Sequence, residues 1–229
     1  MYKALYNSWL NSGKLNEKEI EQLKSIEDNE KEIEYRFGKD LEFGTGGLRG
    51  TMGAGSNRMN VYTVGMATQG LANYLNINFK DKEQISVVVG HDCRNNGRLY
   101  AETVANIFSA NGIKVYLFDD LRPTPEVSYA VRLLGCQSGV NVTASHNPKE
   151  YNGYKAYWDD GAQVLAPHDK GIIDEVAKVR IQDVKFQGNP ELIEIVGENI
   201  DKAYLDEIKG ICIDPELVKR NSNLGIVYT

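Results

Sequence analysis

Short β-branched runs alternate with amphipathic helical stretches through the middle of the chain, and this limits it to a few architectures. Ile85 to Val89 (I-S-V-V-V) ends in Gly90, and Ile113 to Phe118 reads as the next strand. Between them, Leu99, Thr103, Val104, Ile107 and Phe108 mark a helix stopped by Asn111-Gly112. Pro125 sits where a helix can begin, leading to Val131 and Leu134, and Gly139 to Thr143 is a further strand. Val61, Val64, Thr68, Leu71 and Leu75 place a helix ahead of the first strand. Strands separated by helices of about ten to fifteen residues predict a sheet covered on both faces with crossover connections. The expected fold class is α/β, an α/β/α layered domain with a mixed sheet. Ligand sites in such sheets gather at the loops beyond the strands' carboxyl ends. Three polar loops stand there: Gly90 to Arg94, Asp119 to Pro123, and Thr143 to Pro148.

Composition narrows the function. The chain has 229 residues, enough for one or two domains, with 41% hydrophobic and 25% charged residues, as in ordinary globular proteins. Lys and Arg (26) against Asp and Glu (32) give a net charge of −6, which argues against a nucleic-acid partner. No apolar run approaches the ~20 residues of a membrane helix. The first residues lack the charged, then apolar, then small-residue order of a secretion signal. Cys93, Cys136 and Cys212 are odd in number and widely spaced, which fits reduced thiols. A soluble, cytoplasmic protein without a membrane or nucleic-acid partner is expected.

Residues 1–40 read as a helical leader. Tyr2, Leu5, Tyr6 and Trp9 share one helix face, and Asn16 followed by Glu19 resembles a capped start with Ile20, Leu23 and Ile26 behind it. Six of the 22 glycines then fall between Gly44 and Gly55, which predicts a loop with special backbone geometry. Residues 41–195 are expected to form the main domain. A helix around Ile172, Ile173 and Val176 precedes Gln187-Gly188-Asn189-Pro190, read as a boundary. Residues 196–229 read as the beginning of a second, incomplete α/β domain: a helical region from Tyr204 to Val218, then a strand from Leu224 to Tyr228. A strand needs neighbours to pair with, so a truncated chain is expected.

The richest chemistry lies in T-A-S-H-N-P-K-E-Y-N-G-Y-K, Thr143 to Lys155. Ser145 follows a strand in a turn shaped by Asn147-Pro148, and Asn152-Gly153 suggests a second turn. A serine there presents its hydroxyl to a cleft, but it is a weak nucleophile without a partner or a modification that loads it. His146 is adjacent, and Lys155 can return across the turn. A lone Ser-His pair in a polar turn more often bonds local backbone than performs chemistry. The serine is not in G-x-S-x-G, so the hydrolase elbow is absent. The glycines match neither G-x-G-x-x-G nor the P-loop pattern. His91, Cys93, His146 and His168 offer no zinc-ligand spacing.

F-G-T-G-G-L-R-G (Phe43 to Gly50) together with T-A-S-H-N-P…N-G-Y-K resembles the α-D-phosphohexomutase family, particularly phosphoglucomutases and phosphomannomutases. Gly90-His91-Asp92-Cys93-Arg94 looks like the family's G-x-D-x-R loop, and Pro123-Thr124-Pro125 lies where the family has its T-P turn. The leader and the spelling of the glycine motif look most like the bacterial phosphoglucomutase branch, which includes phosphopentomutase-like members. The resemblance implies interconversion of hexose 1-phosphate and hexose 6-phosphate through a phosphoserine at Ser145, primed by a hexose 1,6-bisphosphate. It also implies that His146, Arg49 and Lys155 work in the same cleft, with Thr45, Asp92, Arg94 and Asn147 supporting the phosphate loop. Asp92 and Arg94 are read as braces rather than reactants. The implied partners are small-molecule sugar phosphates and the remaining domains of the parent chain.

One departure stands out. Family members hold Mg²⁺ with the phosphoserine and an Asp-Gly-Asp-x-Asp-Arg loop, and no such triplet occurs here. Asp159-Asp160-Gly161 is the nearest look-alike and has the wrong spacing. Only Ser145, through its phosphate, would serve as a metal ligand, the aspartates lying outside this chain. Residues 1–229 alone are therefore expected to be inactive. A phosphopentomutase of the same family and a non-catalytic phosphosugar-binding fragment are the alternatives; a serine hydrolase lacks an elbow and an acid partner.

Overall fold

The β-branched runs collect into one sheet. The computed structural model describes residues 1–13, 15–44 and 46–227. Its strands are β1 (Gly47–Thr51), β2 (Ser86–His91), β3 (Lys114–Phe118), β4 (Ser138–Val142), β5 (Tyr151–Trp158) and β6 (Ile193–Val196). They lie in the order β1-β5-β4-β2-β3-β6. β4, β2, β3 and β6 are mutually parallel, whereas β5 runs antiparallel to both β4 and β1. Among the described residues there are nine α-helices: α1 (Tyr2–Leu10), α2 (Glu17–Lys24), α3 (Glu30–Phe37), α4 (Val61–Asn78), α5 (Gly97–Ala110), α6 (Thr124–Leu133), α7 (His168–Val176), α8 (Glu198–Gly210) and α9 (Pro215–Arg220).

Successive strand residues point to opposite faces, which builds the layers. Val87, Val89, Val140, Val142, Leu48 and Tyr154 turn toward α4, α5 and α7 and form the larger core with Leu71, Leu75, Val104, Phe108 and Ile172. Val88, Phe118 and Tyr157 turn the other way, onto Val127, Ala130 and Val131 of α6 and Ile200 of α8. A central parallel strand is covered on both faces, and this is why β2 reads as an unbroken V-V-V run. The mixed α/β/α sheet matches the expectation.

The leader has its own small core. Tyr6, Leu23, Ile26, Ile33 and Phe37 close around Ala54 from the glycine-rich segment, with Tyr6 and Trp9 edge-on to Phe37. The Asn16–Glu19 capping box is present, and Trp9 packs against Tyr62 of α4, seating the leader on the main layer.

Four expectations are corrected. The glycine-rich segment is not loop throughout, because Gly47–Thr51 is an edge strand. Its backbone comes so close to β5 that a Cβ on Gly47 (φ +151°) would strike the Tyr154 carbonyl oxygen. The glycines that argue against a strand by propensity are what let this one pair. Asn152 and Gly153 are not a turn; they lie inside β5, opposite Gly50 and Arg49. Leu224–Val227 form no strand, being exposed without a neighbouring backbone to pair with, while Tyr228 lies outside the described residues. The helical stretch expected from Tyr204 to Val218 is two helices, α8 and α9.

Gly70 marks the tightest helix crossing. A Cβ there would lie 2.6–2.7 Å from the Val176 backbone at the end of α7. Alanine would gain up to about 1 kcal/mol in helix propensity, but overpacking against backbone costs about 1–3 kcal/mol and wins. Gly70→Ala is expected to lower the urea midpoint, and an unchanged or raised midpoint would show that α7 yields freely.

Candidate active site

The loop after β4 is held in a conformation it would not keep alone. Ser145 has φ +57°, in the left-handed region that costs a residue with a side chain roughly 1–2 kcal/mol. Thr143 starts the turn: its amide still pairs with the Gly153 carbonyl (3.0 Å), and its hydroxyl accepts from the Ser145 amide (3.0 Å). That hydroxyl also donates to Asp92 Oδ2, and the Asn147 amide closes back on the Ala144 carbonyl (3.1 Å).

Arg94 locks the rest. Its Nη2 donates to the carbonyls of Ser145 (2.7 Å) and Asn147 (2.6 Å), and its Nη1 to those of Pro148 and Tyr151 (3.0 Å each). Asp92 faces the guanidinium at 3.5 Å and accepts from the Arg94 amide at 3.1 Å. A planar fork suits this task, because its donors diverge at fixed angles and meet several carbonyls at once. The Asp92 amide is bonded to the Val142 carbonyl, so the brace is itself tied to β4. The G-x-D-x-R loop thus clamps the serine loop from the neighbouring strand.

Around Ser145 the structure gathers most of the residues picked out by sequence. Arg49 projects from β1 and donates from Nη1 to Asn147 Oδ1 at 3.0 Å. Arg49 lies opposite Gly153, and Lys155 is two residues along β5, so both side chains leave the same sheet face as diagonal neighbours about 7–8 Å apart in backbone. Among the described residues the Lys155 side chain makes no hydrogen bond or ion pair, while its backbone sits between Gly47 and Asn141 in the sheet. His146 Nδ1 stands 3.4 Å from Ser145 Oγ, both exposed, and no described carboxylate orients the imidazole. That is a loose contact rather than a relay. Thr45 lies outside the described residues.

The donor set does not fit a magnesium ion. Asp92, the carboxylate of the brace, is engaged by Thr143 and Arg94. Asp159 and Asp160 follow the end of β5 that pairs with Ser138, the opposite end of β4 from Ser145 and roughly 20 Å away along the strand. Among the described residues, no three His, Cys, Asp or Glu side chains come together as ligands would.

Two contributors were not read from the sequence. Thr143 organises the turn through its hydroxyl, and its signal was the T-x-S spacing of a side-chain-capped turn. Asn152, fully buried, donates to the Asn95 carbonyl and so ties β5 to the Arg94 loop. Nothing local marks it, since its partner is 57 residues away.

Residues 40–183 match the family model described as phosphoglucomutase/phosphomannomutase, alpha/beta/alpha domain I. A phosphopentomutase from Pongo abelii is 38% identical over 234 residues, covering 96% of this chain and 38% of that protein. A phosphoglucomutase from Staphylococcus haemolyticus is 40% identical over 211 residues, covering 86% of this chain and 35% of its own length. A crystal structure from Thermus thermophilus, assigned as a phosphomannomutase, superposes with a TM-score of 0.63 at 28% identity over 75% of this chain and 36% of that one. The chain spans little more than a third of the relatives it matches. With its serine loop, brace and layered sheet, the chain belongs to the phosphoglucomutase/phosphomannomutase family through domain I.

Proposed function

We propose that Ser145 is the phosphoryl carrier of a cytoplasmic phosphohexomutase that interconverts hexose 1-phosphate and hexose 6-phosphate. The observation that supports this reading is a serine hydroxyl exposed on a turn locked by Arg94, with Arg49 and Lys155 on one adjoining sheet face. In the forward half-reaction a sugar hydroxyl oxygen bonds to phosphorus, the bond from phosphorus to Ser145 Oγ breaks, and the sugar's proton passes to a base in the cleft. The hexose 1,6-bisphosphate so formed returns its other phosphoryl group to Ser145. Splitting the shift into two in-line transfers spares the enzyme a direct 1,6 migration. Arg49 offers the phosphate a planar fork, while Lys155 and His146 supply a proton or a charge. Mg²⁺ would need carboxylates from beyond residues 1–229. Pentose phosphates are the alternative substrate class, favoured by the relatives named phosphopentomutase.

Intact mass tests the reading. The chain joined to the domains its relatives carry, incubated with glucose 1,6-bisphosphate and Mg²⁺, should gain one phosphoryl group at Ser145. Residues 1–229 alone should show no glucose 1-phosphate to glucose 6-phosphate turnover and only millimolar or weaker Mg²⁺ affinity. Turnover by the short chain, in preparations free of host mutase, would place the metal ligands within it. In the joined protein Arg49→Lys is expected to lower kcat/KM by roughly tenfold or more, because a point charge replaces a two-pronged grip. An unchanged kcat/KM would put Arg49 outside the phosphate's reach.

A further inference from the structure

At the carboxyl end of β3, the same edge of the parallel strands that carries the serine loop after β4, a second polar cluster joins α6 to α8. Arg122 grips Asp201 of α8 with two prongs, Nε to Oδ1 at 2.6 Å and Nη2 to Oδ2 at 2.9 Å. Nη2 also reaches Asp119 Oδ1 at 3.0 Å, and Nη1 donates to the Leu121 carbonyl at 2.9 Å. Four of the five N–H donors are engaged. Glu126, in the first turn of α6, is only 5% exposed; its Oε1 has no hydrogen-bond partner and stands 3.8 Å from Arg122 Nε.

Three carboxyl groups therefore share one guanidinium. If all were ionised the cluster would carry two uncompensated negative charges, one of them deep in the protein, where a lone carboxylate is strongly penalised. A proton on Glu126, donated to Asp201, removes that conflict and uses the acceptor that faces it. The charged groups facing Glu126 are Arg122 from the loop before α6, Asp201 from α8 and, behind Arg122, Asp119. The strands β2 and β4 present Gly90 and Asn141 on this side.

We propose that Glu126 is protonated in the folded chain and that the α6–α8 junction is a proton-dependent clamp, which loosens as Glu126 ionises. Little else holds α8: Ile200 is its buried residue among those described, and Tyr204 adds one tilted ring contact with Tyr129. Asp119 supports the same junction, its amide bonded to the Val196 carbonyl and its carboxylate lying against Gly197 at the start of α8. The Arg122 amide donates to the His91 carbonyl, which links the clamp to the end of β2 beside Asp92.

The chemistry agrees in direction. Burial first, then the hydrogen bond and charge of Asp201, push the Glu126 carboxyl up to about 7, outweighing Arg122. The α6 N-terminus favours an ionised carboxylate by about 0.3–1 kcal/mol and does not reverse this. Because the folded value lies above the unfolded one, Glu126 stabilises the clamp fully below the unfolded value, and the contribution is lost as pH rises through about 7.

The test uses the 229-residue chain. In carbon-detected NMR the Glu126 carboxyl, assigned by its loss in Glu126→Gln, should titrate near neutrality rather than near the usual ~4.3. Amide exchange of residues 198–205, corrected for intrinsic rates, should lose about fivefold or more protection between about pH 6 and pH 8.5 in the wild type. Glu126→Gln mimics the protonated acid and should hold its protection within about twofold over that range. A Glu126 carboxyl titrating in the ordinary range would overturn the proposal, and so would an equal loss of protection in Glu126→Gln.

Discussion

Ser145→Ala is expected to abolish both phosphoryl uptake and mutase turnover in the chain joined to its partner domains. Without Oγ there is no atom on which to store the phosphoryl group, and the direct shift has no catalysed route. Retention of even about a tenth of wild-type turnover in a coupled assay would remove Ser145 from the carrier role, since loss of a covalent nucleophile costs orders of magnitude. A companion variant separates chemistry from folding. Ser145→Gly also removes the hydroxyl, but it relieves a left-handed φ of +57° and should stabilise the chain by about 1 kcal/mol. Rising stability with vanished turnover is the signature of a residue held in strain for function. A destabilised glycine variant would show instead that the serine side chain supports the loop.

Arg94→Ala should cost almost as much activity without touching the reacting atoms. The fork donates to four loop carbonyls, those of Ser145, Asn147, Pro148 and Tyr151. Hydrogen bonds from a charged group contribute roughly 1.5–3 kcal/mol each, but the released carbonyls lie near the surface and water takes over part of the role. A net loss of about 2–4 kcal/mol in urea unfolding is expected. A nucleophile misplaced by about 1 Å can lose 10²-fold in rate, so kcat should fall at least that far while substrate affinity changes little. Arg94→Lys should fare nearly as badly, because one ammonium cannot span both Ser145 and Tyr151. Near-normal kcat in either variant would mean that Thr143 alone sets the turn.

Much of this molecule is written locally. The V-V-V run, the helix faces around Leu71 and Phe108, the Asn16 capping box and the order of the four motifs depend on neighbours within a turn or a strand, where periodicity and capping act. The family and the identity of its serine loop follow from such short segments. The tertiary structure decided what depends on distant partners. Gly47–Thr51 becomes a strand only because β5 lies beside it, and no glycine-rich segment announces that by propensity. Arg94 acts on carbonyls 51 to 57 residues away, and a carbonyl has no sequence signature. Glu126 looks like an ordinary first-turn acid until α8 brings Asp201 against it. In each case the deciding energy is a contact across sequence, whether a ladder, a fork or a shared proton, which exists only once the layers have closed.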